Sequence, residues 1–235
     1  MPSKNSNWML DEISSAGREN LDVDHASRYD LKEDASAEEE VALLKTLGLN
    51  GQSEVVDMGA GTGQFALAVA SVCARVVAVD VSPVMLDVLN AKVAASRLSN
   101  VEVVQAGFLT YAHRGRPVDV VYSRYALHHL PDFWKALALQ RIRRMVRPGG
   151  VLRLWDVVYS FSPSEAAHRL DAWCATMPDA VKDGWTRADA EEHIRDEHST
   201  FTWLCEPMLA RAGFRIEDAW YSPDGIFAKY VARAV

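Results

Sequence analysis

From residue 54 onward, short apolar runs alternate with stretches whose apolar residues recur at helical spacing. Residues 54–58 form an apolar run that ends in glycines. Residues 75–79 are nearly continuously apolar, the pattern of a strand buried on both faces. Residues 101–105, 118–122 and 151–157 read as three more strands. Helical patterns over 65–73, 83–97 and 133–146 fall between them. Alternation of this kind predicts βαβ units and a parallel sheet.

Boundary signals sharpen the picture. Ser36-Ala37-Glu38-Glu39 reads as a capping box, with Val41, Leu43, Leu44 and Leu47 as the apolar face behind it and Gly48 as the stop. Ser82-Pro83 reads as an N-cap with proline at the first helical position. Pro148-Gly149-Gly150 stops the helix before the fifth strand. Residues 1–34 are polar and mixed, with a short helix expected at 8–14. After Asp156 the alternation breaks. Ser162-Pro163-Ser164-Glu165 is a second capping box, opening a helix to 177, and helices follow at 187–197 and 203–212. Residues 215–221 and 226–232 flank the Pro223-Asp224-Gly225 turn as a hairpin. The expected fold is α/β: a doubly wound, mostly parallel seven-stranded sheet, Rossmann-like, ending in an antiparallel hairpin. A helical insert at 160–200 precedes the sixth strand, residues 1–34 form a cap, and 1–235 is one domain.

Composition narrows the partners. The chain has 235 residues, 49% apolar and 24% charged, with a net charge of −7, so its surface as a whole repels phosphate backbones. Arg141, Arg143, Arg144 and Arg147 read as a solvated helix face, not a nucleic-acid site. Cys73, Cys174 and Cys205 lie far apart among apolar neighbours, as buried reduced thiols do. Neither a signal peptide nor a membrane-spanning run is evident, so a cytoplasmic location is expected.

The sharpest feature is Val55-Val56-Asp57-Met58-Gly59-Ala60-Gly61-Thr62-Gly63. A buried strand runs into three alternating glycines and then a helix. Glycine permits turns closed to other residues and lets backbone approach a ligand closely. In doubly wound folds this strand end is where ligands bind. Asp80 ends the second strand, 23 residues after Asp57. An acid there hydrogen-bonds ribose hydroxyls in nucleotide-binding units.

These residues resemble the class I S-adenosylmethionine-dependent methyltransferases of the small-molecule type. Asp57 to Gly63 is similar to that family's first motif, and Val79-Asp80-Val81-Ser82-Pro83-Val84-Met85 to its ribose motif. The stretch Ser123-Arg124-Tyr125-Ala126-Leu127-His128-His129-Leu130-Pro131-Asp132 resembles the segment after the fourth strand. Val146-Arg147-Pro148-Gly149-Gly150 and Ala212-Gly213-Phe214 match two later turns. The resemblance implies S-adenosylmethionine as cofactor, held by Asp57, Gly59, Ala60, Gly61, Gly63, Asp80, Val81, Met85, Gly107, Phe108, Ser123 and Tyr29. One departure stands out: Gly107 occupies the place where the family often has an acid for the adenine amine. Adenine then rests on Phe108 or bonds to backbone. Tyr29-Asp30 matches a pair that folds over the cofactor's methionine end, with a surface loop as the alternative.

Methyl transfer asks mainly for alignment and exclusion of water, and for a general base only if the acceptor must lose a proton. His128, His193, His198 and Tyr29 are the candidates. His193 and His198 sit in a run that reads as a solvated face. Five residues apart, they do not pair as i,i+4 zinc ligands, and no metal site is expected. Trp173, Trp185, Phe161 and Met177 either line an acceptor pocket or form the insert's own core. The expected partner is a small-molecule acceptor, with no nucleic acid and no membrane. Two other classes remain open: a non-catalytic S-adenosylmethionine-binding module, and a nicotinamide oxidoreductase, against which the GxGxG spacing argues.

Overall fold

A computed structural model describes residues 8–17, 19–180 and 184–235. Residues 1–7 and 18 of the expected cap, and 181–183 of the insert, lie outside the described residues. Helix α1 spans Val23–Lys32 and α2 Ala37–Thr46. Strand β1 (Glu54–Met58), helix α3 (Gln64–Ala70), strand β2 (Arg75–Asp80), helix α4 (Pro83–Ala95) and strand β3 (Val101–Gln105) form the first half. The second half holds β4 (Val118–Arg124), α5 (Asp132–Met145) and β5 (Val146–Tyr159). After these come α6 (Ala166–Ala175), α7 (Arg187–Asp196), β6 (Thr200–Phe201), α8 (Thr202–Ala212), β7 (Phe214–Tyr221) and β8 (Phe227–Ala234).

The main sheet runs β3-β2-β1-β4-β5-β8-β7, with the two-residue β6 beside β5. Strands β1 to β5 pair in parallel, while β8 is antiparallel to both β5 and β7. The seven expected strands are therefore present, and β6 is an addition too short to show a period in sequence. Side-chain alternation sorts the core onto two faces. Val55, Val76 and Ala78 pack with Leu44, Phe65 and Leu89 from α2, α3 and α4. Val56, Met58, Val77 and Val79 pack with Leu139, Ile142 and Leu209 from α5 and α8. Chain order reverses between β1 and β4, which opens a crevice at their carboxyl ends.

Local signals differ in how they fare. Ser82 caps α4 as expected: its Oγ accepts from Met85 N at 3.1 Å, and Pro83 opens the helix. Ser162 N donates to Glu165 Oε2 at 3.1 Å, closing the second capping box over a short 3-10 turn. The first box does not form. Ser36 has φ 45 and its side chain caps nothing. One tertiary and one local bond set the backbone there instead: Gln64 Oε1 accepts from Ala35 N at 2.9 Å, and Asp34 Oδ1 from Ser36 N at 2.8 Å. Residues 11–15 form turns rather than a helix, because Asp11 Oδ1 takes the N–H groups of Ile13 and Ser14. Helix α1 is a further difference, and it puts Tyr29 and Asp30 on a helix rather than in a loop ahead of one. The arginines are not a plain solvated face. Arg141 donates to the carbonyls of Phe108 and Tyr111, and Arg143 to those of Gly213 and Val235, so both staple loops to α5. The three cysteines are free and buried. Among the described residues, no helix is long and apolar enough to cross a membrane.

Candidate functional site

The glycine loop follows β1 with positive φ at all three glycines: 77 at Gly59, 51 at Gly61 and 84 at Gly63. Packing accounts for two of them. A Cβ on Gly59 would lie 2.2 Å from Ala126 Cβ, and one on Gly63 would lie 2.1 Å from Leu89 Cδ1. Gly61 has nothing within 4 Å of that position, so its side faces open crevice. The Asp80 carboxylate at the end of β2 ties the loop down, accepting from Gly61 N and Ser82 N at 2.8 Å each. Asp57 lies buried beneath the loop. Burial, together with the neighbouring Asp80 charge, pushes it up to about 8.

Beyond β3, Gly107 leaves a gap that the N-terminal segment fills. The buried Glu12 carboxylate accepts from Leu109 N at 2.9 Å and from Thr110 Oγ1 at 3.0 Å. Burial raises the Glu12 pKa against those hydrogen bonds. Glu12, Gly107 and Phe108 form one end of a crevice of about 650 Å³, and Gly59, Gly61 and Asp80 line its middle. Val81 and Met85 also face it.

A second cavity of about 700 Å³ adjoins the first, and Asn20, Tyr29, Tyr125 and His129 line both. Tyr125 holds φ 48, a left-handed conformation rare for an aromatic residue. Trp173, Met177, Trp185 and Phe227 supply apolar walls. The two readings of the insert's aromatics thus divide by residue. Phe161 is core, Trp185 is wall, and Trp173 is both.

His128, His193 and Glu197 stand together on this cavity. His128 Nδ1 lies 2.5 Å from Asp156 Oδ1, and its Nε2 lies 3.0 Å from Glu197 Oε2. Burial alone would lower the His128 pKa, but these two carboxylates outweigh it and raise it to about 10. His129, buried beside that charge, is lowered to about 3. His193 Nδ1 also meets Glu197, and its Nε2 lies 2.9 Å from Ser199 Oγ.

Three elements are latched over the crevice. Glu33 pairs with Arg124 at 2.9 Å and accepts from the Trp185 indole, linking the end of α1 to β4 and to the insert. Asp30 accepts from Thr62 Oγ1 at 2.5 Å and pairs with Lys92, so Asp30 rather than Tyr29 holds the glycine loop.

Gly59, Gly61, Asp80, Val81, Met85, Gly107, Phe108 and Tyr29 therefore share one crevice. Asp57 and Ala60 line an adjoining niche beneath it. Gly63 and Ser123 do not face the crevice: Gly63 packs on Leu89, and Ser123 is wholly buried. His193 is buried, not solvated, because its ring packs between Trp173 of α6 and His128. His198 is exposed and lines no described cavity, although its backbone N–H bonds the His128 carbonyl at 3.0 Å. Sequence pattern missed Glu12, Glu33, Arg124 and Glu197. Glu12, Glu33 and Arg124 carry no signal because their partners are distant in the chain, whereas Glu197 stands at i,i+4 from His193, a spacing that sequence could have offered.

A family model described as "Methyltransferase domain" matches residues 55–150. An uncharacterized methyltransferase of Mycobacterium bovis is 32% identical over 149 residues, 61% of this chain and 71% of that protein. In fold, the chain is similar to the cyclopropane synthase MmaA2 of Mycobacterium tuberculosis, with TM-score 0.69, 14% identity and coverage of 97% and 100% of the two chains. It is also similar to the N-methyltransferase NodS of Bradyrhizobium japonicum, solved with S-adenosyl-L-homocysteine, with TM-score 0.62, 17% identity and coverage of 96% and 99%. The fold is Rossmann-like. The chain belongs to the class I S-adenosylmethionine-dependent methyltransferase family.

Proposed function

We propose that the protein binds S-adenosylmethionine in the first crevice and transfers its methyl group to a small molecule in the second. The observation that carries this reading is the junction of the two cavities at Asn20, Tyr29, Tyr125 and His129. A cofactor lying across the loop would put its sulfonium at that junction. Asp80 would take the ribose hydroxyls, Gly61 would let the cofactor approach the backbone, and Phe108 and Glu12 would hold adenine. Glu12 is the acid absent at position 107, supplied from the N-terminal segment.

At the junction an acceptor held against Trp173 and Trp185 would stand in line with the methyl–sulfur bond. The acceptor's lone pair forms the new bond to carbon as the carbon–sulfur bond breaks, and sulfur keeps that electron pair. Alignment and exclusion of water supply most of what such a step needs. The cap residues 8–34 and the insert, joined through Glu33, would act as the lid. The cavity's apolar walls, with Tyr125 and the histidines as polar groups, suit a small organic acceptor. Its presence beside the cofactor crevice favours an enzyme over a binding module. The net charge of −7 argues against a nucleic-acid acceptor.

Titration calorimetry with S-adenosylmethionine, S-adenosylhomocysteine and NADH tests the cofactor assignment. The first two should bind and NADH should not. Asp80→Ala should weaken binding by about a hundredfold, two bonds to a charged group being worth on the order of 1.5 kcal/mol or more each. Binding of NADH alone would overturn the reading. Release of S-adenosylhomocysteine during a screen of small hydroxyl, amine and thiol compounds would identify the acceptor.

A further inference from the structure

We propose that His128, His193 and Glu197 form a binding site for one divalent transition-metal cation of the zinc class, with an open coordination position facing the acceptor cavity. The donor atoms, one imidazole nitrogen from each histidine and a Glu197 carboxylate oxygen, lie within 4.8 Å of one another. Two imidazoles and one carboxylate are a donor set that binds zinc while leaving a fourth position free. All three residues line the cavity, so the free position points where an acceptor would sit.

The outer nitrogens are already committed. Asp156 holds His128 Nδ1 at 2.5 Å, and Ser199 Oγ lies 2.9 Å from His193 Nε2. A carboxylate or hydroxyl behind the ring fixes its tautomer and turns the inner nitrogen's lone pair toward a metal. Here both inner nitrogens converge on Glu197. Its Oε2 lies 3.0 Å from His128 Nε2 and also against His193 Nδ1. Two carboxylates, Asp156 and Glu197, flank His128 and call for positive charge between them. Protons on the imidazoles can supply it, and a metal ion would displace those protons.

The role of the metal rests on the proposed acceptor cavity; its binding does not. A cation there selects an acceptor with an ionisable O–H or S–H. Coordination lowers that group's pKa and the proton leaves to solvent. The oxygen or sulfur lone pair then takes the methyl carbon, and the cofactor leaves as neutral S-adenosylhomocysteine.

The test uses tag-free protein stripped with EDTA and titrated with Zn²⁺ by calorimetry and with Co²⁺ by visible absorption. One equivalent should bind, and Co²⁺ should show the d–d bands of a low-coordinate site. His193→Ala and Glu197→Gln should abolish both signals. Asp156→Asn should weaken binding about ten- to a hundredfold, and the exposed His168→Ala should change nothing. Circular dichroism checks that each variant folds, and the wild-type titration decides even if they do not. Failure of the stripped protein to bind either ion overturns the proposal, as does binding that survives in folded His193→Ala and Glu197→Gln. S-adenosylhomocysteine binding is measured on the same stripped protein. If it binds and the metals do not, the metal site falls and the methyltransferase reading stands. If the metals bind and it does not, the metal site stands and its role in methyl transfer falls.

Discussion

The Glu12 carboxylate occupies the space in which a side chain on Gly107 would begin: a Cβ there would lie 2.3 Å from Glu12 Oε1. Residues 95 positions apart thus share one place on the crevice wall. Glu12→Ala should weaken S-adenosylhomocysteine binding about tenfold or more, the loss expected for one hydrogen bond to a charged group. Gly107→Asp alone should destabilise the protein, because two carboxyl groups then compete for one volume. Combined with Glu12→Ala, Gly107→Asp should instead restore affinity. Calorimetry and thermal melts over this double-mutant cycle check the sign. Additive losses would show that Glu12 only packs the segment in place.

Gly59 and Gly61 should separate folding from binding under the same substitution. Gly59→Ala meets Ala126 at 2.2 Å and keeps a positive φ, so it should cost about 2–4 kcal/mol of stability. Gly61→Ala has room and should cost only about 1–2 kcal/mol for its left-handed backbone. Gly61→Val should fold with reduced stability and fail to bind the cofactor, because its branches enter the crevice. Urea unfolding and calorimetry measure the two effects. Equal stability losses for the two alanine variants would contradict the packing asymmetry.

Glu33 is the joint of the lid. Glu33→Ala removes the Arg124 pair and the Trp185 contact together. Amide exchange over residues 184–196 should then quicken, while β1 and β4 stay protected. S-adenosylhomocysteine should raise protection in residues 8–34 of the wild type, and less so in the variant. Unchanged exchange in the insert would show that its own core is enough to hold it.

Asp57 should make stability fall with rising pH. Its folded pKa is raised to about 8, against about 4 when unfolded. The folded state therefore binds the extra proton between those values, and stability declines as pH rises through that window. Asp57→Asn should flatten the decline. Urea midpoints compared at about pH 5 and about pH 8 read it directly. Parallel declines in both proteins would place the carboxyl's titration elsewhere.

What the sequence determined by itself was the frame. Strand periods, the glycine loop and Asp80 are local: each depends on residues within a few positions, or on one βα unit, and each stands where its pattern placed it. Ser82-Pro83 held for the same reason, because its cap closes within one turn. Tertiary structure decided wherever a distant partner outbid the local preference. Ser36 gave up its cap where Gln64, 29 positions beyond Ala35, took the Ala35 N–H. Glu12 reached Gly107 across 95 residues. The buried side of α7 brings His193 and Glu197 against His128, 65 positions earlier in the chain. A carboxylate or an imidazole looks the same in sequence wherever it stands, and the fold alone brings its partner within hydrogen-bond reach.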